Sequence, residues 1–211
     1  MRNLFITIRF VLRKYFLNKI VCQQNNKLEL ANTEIINNKI FLIGEKNQIK
    51  VKHGTKIKNL YIKIKGKNNK LLIENDCKIL AGSINIIGNN LNFFIGNNTS
   101  IRSFDSILVG EGLFIRIGKD CMFGSDIKIW NGEIHPIYSK KTKRRVNKPK
   151  SIKIGNHVWI GSEVVILKDT SIEDGAVIGI RSIVKGKVKE NIVVAGSPHK
   201  VIRENINWKR I

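Results

Sequence analysis

The chain has 211 residues, of which 42% are hydrophobic, and it carries a formal net charge of +22. This length suits one domain with small appendages. The charge favours a polyanionic partner such as an acidic polysaccharide or an anionic membrane surface, although a lysine-rich composition is the competing explanation. The sequence shows no helix-turn-helix, RNA-binding signature or zinc finger, so nucleic acid is not expected as a partner. The three scattered cysteines argue against a disulfide framework and indicate a reduced, cytoplasmic protein.

The first 20 residues combine apolar side chains with five basic ones, in MRNLFITIRFVLRKYFLNKI. Basic residues within the apolar run argue against a signal peptide and against a membrane-spanning helix. Leu4, Ile8, Leu12 and Tyr15 recur at helical spacing, which predicts a short amphipathic N-terminal helix. We assign residues 1–27 to this cap segment. It either packs over the first coil of the following domain or lies on the inner face of the membrane, with residues 1–20 making peripheral contact.

The last third of the chain repeats with a period of six. Read from Ile154, the hexads are IGNHVW, IGSEVV, ILKDTS, IEDGAV, IGIRSI and VKGKVK, each headed by an aliphatic residue. An amphipathic α-helix does not place an aliphatic residue at every sixth position. The pattern predicts an all-β fold, a left-handed parallel β-helix in which three six-residue sides form a coil and the aliphatic residues stack along the axis. Gly155, Gly161 and Gly179 fall at the corners, where a residue without Cβ is least strained.

The repeat extends upstream with phase slips, which predict bulged corners or short insertions. Seven further hexad heads precede the regular region: Ile73, Ile79, Ile95, Ile101, Ile117, Phe123 and Ile129. We therefore place the β-helix at residues 28–194. A stack of this kind needs a cap at each end, and residues 195–211 are the candidate for the C-terminal one.

The period breaks once, at residues 135–151, where HPIYSKKTKRRVNKPKS contains seven basic residues. A single excursion from a rigid stack is typical of a binding loop. The loop opens with His135, and imidazole suits general-base chemistry. Pro136 restricts the backbone beside it, and Glu133 projects to the same side of an extended segment. We predict that Glu133, or a nearby carbonyl, orients the His135 ring. A histidine without a catalytic role is the competing interpretation.

The other histidines are His53, His157 and His199, and none has the paired spacing of a metal cluster. We therefore expect no metal ion. A metal-binding or non-catalytic solenoid is kept as a competing class of function.

The C-terminal half resembles the hexapeptide-repeat acyltransferases, through the hexads from Ile154 to VKG and the AGSPHKVI segment. It is more narrowly similar to the O-acetyltransferases of capsular polysialic acid, through IGKDCM, NGEIHPIYS, IGNHVW and AGSP…VIRENINW, over roughly residues 115–208. The resemblance implies a homotrimer, acetyl-CoA in the groove between neighbouring subunits, and a C-terminal helix in residues 195–211. It also implies that His135 acts on the acceptor hydroxyl and that Trp159 is needed at the active site.

The implied reaction is transfer of an acetyl group to a hydroxyl of a bacterial surface polysaccharide. His135 is the predicted base, a role typically worth about 10²–10⁴-fold in rate. Trp159 offers an apolar wall and an indole N–H donor, and packing at the solenoid edge is its competing role. An acetyltransferase for a small acceptor, such as a sugar nucleotide, serine or an antibiotic, is the alternative enzyme. The predicted cofactor contacts are Trp159, Lys168, Arg181, Ser182, Lys185 and Lys200, and the predicted acceptor contacts are Tyr138, Arg144, Arg145 and Lys148.

Overall fold

A computed structural model describes residues 17–210. The predicted N-terminal helix falls almost entirely on residues 1–16, which lie outside the described part of the chain. Residues 17–210 contain short strands and no helix. The strands form three sheets, I, II and III, whose members pair in parallel from coil to coil, so each sheet is one wall of a three-sided solenoid. The predicted all-β parallel β-helix is confirmed.

The strands follow one another around the prism in the order sheet I, sheet II, sheet III. Sheet I contains β1 (Lys19–Cys22), β4 (Lys39–Glu45), β7 (Leu60–Lys67), β10 (Gly82–Asn89), β13 (Phe104–Glu111), β16 (Ile127–Trp130), β19 (Val165–Leu167) and β22 (Ile183–Val184). Sheet II contains β2 (Lys27–Leu30), β5 (Gln48–Val51), β8 (Lys70–Ile73), β11 (Asn92–Ile95), β14 (Phe114–Ile117), β17 (Ile152–Ile154), β20 (Ser171–Ile172) and β23 (Lys187–Val188). Sheet III contains β3 (Glu34–Ile36), β6 (Lys56–Lys58), β9 (Lys78–Ile79), β12 (Ser100–Ile101), β15 (Met122–Phe123), β18 (Trp159–Ile160), β21 (Val177–Ile178), β24 (Val193–Ala195) and β25 (Lys200–Arg203).

The core is the predicted column of aliphatic residues. Ile154 lies over Ile172 in sheet II and Ile160 over Ile178 in sheet III, all of them buried. Stacking puts each side chain against the equivalent one of the next coil, so every coil buries the same kind of surface. The shape of the molecule therefore depends on repetition of this contact.

The phase slips have a simple cause, because the upstream coils are longer. Equivalent residues lie 22 apart in the upstream coils, as for Asn47 and Asn69, and 18 apart downstream, as for Asn156 and Asp174. The extra residues lie in sheet I, where β7, β10 and β13 are eight residues long. The predicted slips are therefore lengthened sides rather than interruptions of the stack.

Glycine is required where the long sheet I strands end. Gly66 and Gly88 stack in register with φ of +130° and +143°, in the left-handed region. A Cβ on Gly88 would lie 2.0 Å from the carbonyl oxygen of Gly110 in the next coil. Both the backbone conformation and the close approach of the coils exclude a side chain. Gly155 differs, because its φ is not positive and a Cβ there would be crowded only by the close approach of Glu173 and Asp174 in the next coil.

A ladder of buried asparagines joins the coils at the edge between sheets I and II. The Asn69 amide nitrogen donates to Asn47 Oδ1 at 2.9 Å and to the Gly88 carbonyl at 2.8 Å. Asn69 Oδ1 in turn accepts from the Leu91 backbone N–H at 3.0 Å. Buried polar groups are costly unless they are paired, and this ladder pairs them identically in successive coils. Asparagine at these corners is thus structural.

The prediction of a C-terminal helix in residues 195–211 is wrong for residues 195–210, which the structure describes. Residues 196–199 form a turn, and β25 then pairs antiparallel with β24. The last parallel strand leaves unpaired backbone groups on its open edge, and β25 satisfies them. At the other end, β1 already pairs with β4 from Lys19 onwards, upstream of the predicted start at residue 28.

Within residues 17–210, no helix has the length and apolar character needed to cross a membrane.

Candidate active site

The basic loop leaves sheet I after Trp130 and re-enters the solenoid at Ile152 in sheet II. It folds back on itself as a short hairpin, with an antiparallel bridge between Tyr138 and Arg145. The Ser139 N–H donates to the Arg144 carbonyl at 3.0 Å, and the Val146 N–H donates to the Ile137 carbonyl at 2.8 Å. The loop is therefore an ordered projection from the edge between sheets I and II. We call residues 131–151 the hairpin.

Asn147 holds the base of the hairpin together. Its side chain is 6% exposed, and its Oδ1 accepts from the Ile137 N–H at 2.7 Å and from Arg145 Nε at 3.1 Å. Its Nδ2 donates to the His135 carbonyl at 2.8 Å and to Glu133 Oε2 at 3.3 Å. One buried amide thus fixes both strands of the hairpin and the backbone of His135.

His135 is exposed, and Glu133 does not reach its ring. Among residues 17–210 the His135 imidazole has no hydrogen-bond partner, whereas Glu133 Oε2 accepts from Lys168 Nζ at 2.6 Å. That hydrogen bond from Lys168 is the largest cause of a lowered pKa at Glu133. The predicted pairing of Glu133 with the imidazole is therefore replaced by an indirect connection, in which Asn147 contacts both Glu133 and the His135 backbone.

Trp159 opens β18 in sheet III, at the edge shared with sheet II, and is 41% exposed. Its ring centroid lies 6.1 Å from that of Trp208 in the C-terminal tail. Trp208 stacks on His157 with 4.0 Å between centroids, and its indole N–H donates to the His157 carbonyl at 2.9 Å. The tail thus supports one side of the predicted active-site tryptophan.

Two further side chains attach the tail to the coils. His157 Nδ1 lies 2.7 Å from Asp120 Oδ2, and Arg210 Nε donates to the other carboxylate oxygen at 3.1 Å. Arg210 also donates to the carbonyls of Asn98 and Cys121. His157, which has no predicted role, is therefore the residue on which the tail docks.

The predicted cofactor residues do not form one cluster. Lys168 and Lys185 lie at the hairpin edge, between sheets I and II, and Lys168 is paired with Glu133. Arg181 lies at the edge between sheets III and I and is paired with Glu163 at 2.9 Å. Lys200 is exposed on β25.

Ser182 cannot contact a ligand in this structure. It is fully buried, and its hydroxyl donates to the Gly179 carbonyl at 2.7 Å and accepts from the Gly196 N–H at 3.0 Å. A hydroxyl with both roles filled inside the protein joins two coils. Ser182 is therefore a structural residue, and its predicted contact with the cofactor is withdrawn.

The predicted acceptor residues divide into two kinds. Tyr138, Arg144 and Lys148 are exposed on the hairpin, with 59% of Tyr138 accessible. Arg145 is half-buried and donates to Asn147 Oδ1 and the Glu133 carbonyl. The first three are available to a ligand, whereas Arg145 holds the hairpin base.

His135 and Trp159 lie at the two opposite edges of the wall that sheet II forms. The hairpin projects from the edge between sheets I and II, and Trp159 stands at the edge between sheets II and III. No contact joins the two side chains in the described part of the chain. One protomer thus presents the two predicted active-site residues at separate edges.

The sequence does not indicate the roles of Asn147 and of the tail residues. Asn147 is one polar residue in a polar loop, and its four hydrogen bonds depend on the folded hairpin. Trp208 ends the VIRENINW motif, but its partner His157 is 51 positions away, so no local pattern indicates their contact. Within residues 17–210, no group of three or more His, Cys, Asp or Glu side chains is arranged to hold a metal ion.

Comparison with known proteins gives acetyltransferases named for several acceptors, among them polysialic acid, galactosides and chloramphenicol, although no family model matches the chain. The polysialic acid O-acetyltransferase of Escherichia coli O1:K1 / APEC is 34% identical over 93 residues, 44% of this chain and 30% of that protein. The sequence match thus spans less than a third of that relative. The crystal structure of the polysialic acid O-acetyltransferase OatWY has a TM-score of 0.84 and 31% identity, covering 93% of this chain and 92% of that one. The polySia-specific acetyltransferase NeuO has a TM-score of 0.82 and 29% identity, covering 95% and 91%.

Proposed function

The chain belongs to the hexapeptide-repeat acyltransferases, and on that premise we propose that it transfers an acetyl group from acetyl-CoA to a hydroxyl of an acidic polysaccharide. The named activity of its relatives supports the acetyl group and a polysialic acid-like acceptor. The net charge of +22 supports an anionic acceptor, because an oppositely charged chain is attracted over a distance.

In the proposed reaction the imidazole of His135 accepts the proton of the acceptor hydroxyl. The oxygen attacks the thioester carbonyl, and the tetrahedral oxyanion then collapses to the ester and expels the thiol of coenzyme A, which regains the proton. Asn147 positions the backbone of His135 while leaving its ring free for the hydroxyl. Trp159 offers a half-exposed ring and an indole donor beside the reacting groups.

We propose that the active site forms between protomers of a trimer, because each protomer separates His135 from Trp159. The outer surface of sheet I carries an apolar column in the last coils, where Ile107, Trp130 and Leu167 stack in register. The outer surface of sheet III is apolar at the same level, where Met122 lies beside Trp159 and Trp159 beside Val177. Partly exposed apolar columns of this kind favour association.

Packing sheet I of one protomer against sheet III of the next gives a closed ring by repetition of one contact. The outer end of sheet I is the hairpin edge, and the outer end of sheet III is the Trp159 edge. These two edges then meet, so the hairpin of one protomer brings His135 towards the neighbour's Trp159. The observation that carries the proposal is that His135 and Trp159 stand at the two edges that this packing would bring together.

The catalytic role of His135 is tested with His135→Ala and, as a matched control, His53→Ala in the upstream coils. We expect His135→Ala to lower kcat by about 10²–10⁴-fold with the melting temperature unchanged, and His53→Ala to keep normal turnover. Trp159→Ala should also impair transfer. Full turnover by His135→Ala would reject it as the base.

The shared site is tested by complementation. Mixed trimers assembled from His135→Ala and Trp159→Ala protomers contain one interface with an intact His135 and an intact Trp159. They should recover about one third of the normal activity, since one of three heterologous interfaces is complete. Mixed trimers as inactive as either parent would show that both residues act from one protomer. Polymeric and monomeric acceptors assayed in parallel distinguish the polysaccharide from a small acceptor.

We also keep peripheral membrane contact by residues 1–20 as a prediction. Full-length protein and a variant beginning at residue 17 would be compared in membrane and soluble fractions. Equal partition of the two would remove the membrane hypothesis. The cytoplasm, where acetyl-CoA is made, is the proposed location of the reaction.

A further inference from the structure

A groove runs along the outer surface of sheet II and its edge with sheet III. Its volume is about 570 Å³, and its lining extends over five coils from Glu74 to Asp174. Neighbouring parallel strands lie about 4.8 Å apart, so four spacings make the groove roughly 19 Å long. This length suits several linked sugars better than one. We call it the sheet II groove.

The floor of the sheet II groove is a column of one aromatic and two basic residues. Phe94, Arg116 and Lys153 lie side by side on successive strands. The Arg116 guanidinium stands 4.7 Å from the centroid of the Phe94 ring. Lys119 adds a third cation at the edge. All three cations are exposed, and within residues 17–210 none of them forms an ion pair.

The two carboxylates in the groove wall are already engaged. Glu74 pairs with Lys52 at 2.8 Å. Asp174 accepts from the Asn156 backbone N–H at 2.8 Å and from its amide group at 2.9 Å. The Asn156 backbone and side chain lower the pKa of Asp174 most, with smaller contributions from Lys153 and Lys119. The groove therefore presents positive charge that its own carboxylates do not fully neutralise.

We propose that the sheet II groove binds the acceptor itself, an acidic polysaccharide chain, and leads it to the active site. Arg116 offers the fork geometry that matches a sugar carboxylate, and Lys119 and Lys153 supply point charges. Phe94 offers apolar surface to the C–H face of a sugar ring. The inference rests on the proposed function, because that function supplies both the polymer and the place where it reacts.

The position of the groove supports this role. Asn156, in its wall, precedes Trp159 by three residues on the same edge of the prism. Sheet II is also the wall that stays exposed when sheets I and III pack between protomers. A polymer lying in the groove thus reaches the Trp159 edge directly, and sugars away from the reacting one contribute binding.

The test measures binding of polysialic acid to the intact protein, with neutral dextran as the uncharged probe. The groove variant is the double substitution Arg116→Ala and Lys153→Ala. The matched control, Lys27→Ala with Lys46→Ala, removes the same charge from exposed positions in the first coils, away from the groove and from the proposed contact between protomers. We expect the groove variant to weaken polysialic acid binding by about tenfold or more, since it removes charge-assisted contacts. The control should bind within about twofold of the normal protein, because distant charges are screened by salt.

Kinetics separate the groove from the chemistry. The groove variant should raise KM for the polymer while kcat and KM for acetyl-CoA stay unchanged. For Arg116→Lys, the KM for the polymer should lie between those of the normal protein and the groove variant. Polymer binding in the groove would be contradicted if the normal protein bound no polysialic acid. It would also be contradicted if the groove variant bound polysialic acid as tightly as the control does. Acetyl transfer to the polymer that is unaffected by the groove variant would overturn the groove and leave the proposed function standing. Groove-dependent binding without acetyl transfer would support the groove and overturn the proposed function.

Discussion

The stacked coils and the hairpin are stabilised in opposite ways. Each coil repeats the same aliphatic contacts, and the upstream coils add buried asparagine bonds, so the same kind of contact is made many times. The hairpin occurs once, exposes most of its side chains, and is fixed at its base by Asn147 and the Lys168–Glu133 pair. Repetition therefore provides a rigid frame, and the one irregular segment carries the proposed base.

We therefore expect substitutions in the coils and substitutions in the hairpin to change different properties of the protein. Loss of a core side chain should lower the stability of the whole stack, while loss of a hairpin contact should change activity and leave global stability nearly unaltered. Four substitutions test the difference, from the largest expected effect to the smallest.

Leu71→Ala should have the largest effect on stability. Leu71 is 1% exposed in the core, and leucine to alanine in such a site costs about 2–5 kcal/mol of unfolding free energy. Leu80→Ala is the matched control, since Leu80 is 44% exposed and should change stability by about 0.5 kcal/mol or less. Denaturant unfolding measures both. Equal losses would show that the aliphatic ladder is not the main source of stability.

Trp208→Ala tests whether the tail behaves like the coils or like the hairpin. Trp208 is 7% exposed and stacked on His157, so we expect a loss of roughly 3 kcal/mol, at the low end for tryptophan to alanine. Trp208→Phe keeps an aromatic ring and removes the bond to the His157 carbonyl, so it should cost about 1 kcal/mol. Thermal unfolding and the fluorescence of the two remaining tryptophans, Trp130 and Trp159, report the outcome. A normal melting temperature in Trp208→Ala would show that the tail is not part of the cooperative unit.

The fold was predictable where a residue type repeats. Ile154, Ile160, Ile166, Ile172 and Ile178 show the period directly, because each hexad there forms one side of the prism. The upstream coils concealed the period, since eight-residue strands in sheet I put equivalent residues 22 positions apart. The strand in the tail differs from the expected helix because β25 pairs with the open edge of β24, a contact that no local pattern indicates.

The candidate site was predictable only where its residues belong to motifs. His135 and Trp159 are found from the break in the repeat and from the family resemblance, and the structure places both on exposed edges. Asn147 depends on the folded hairpin. The column of Phe94, Arg116 and Lys153 depends on the register of three strands, with the hairpin inserted between the last two. Long-range pairing therefore limits what the sequence alone indicates.

Asn147→Ala should affect the hairpin and spare the coils. The substitution removes four hydrogen bonds, and loosening worth about 1–3 kcal/mol would lower kcat/KM by roughly tenfold to a hundredfold. Asn147→Asp keeps the two accepted bonds and removes the two donated ones, so it shows whether the bond to the His135 carbonyl is the decisive one. Thr142→Ala at the hairpin tip should have normal kinetics. A large fall in global stability with normal kcat/KM would place Asn147 in the frame instead.

Glu133→Gln should have the smallest effect on stability, and the size of that effect should depend on pH. The Glu133 side chain is 54% exposed, so its pair with Lys168 is worth about 0–1 kcal/mol. Lys168 lowers the pKa of Glu133 in the folded protein, so the contribution is complete above the ordinary carboxyl pKa of about 4.3. It is lost as the pH falls through the lowered value.

We therefore expect the normal hairpin to become more mobile in acid, as measured by NMR relaxation of the Ile137 and Val146 amides. Glu133→Gln should be slightly more mobile at neutral pH and should not change further in acid. Glu163→Gln, which breaks the pair with Arg181 on another edge, is the matched control and should leave the hairpin unaffected. If Glu133→Gln instead abolished transfer at neutral pH, the carboxylate would act on the imidazole directly, and the hairpin would have to close further than it does here.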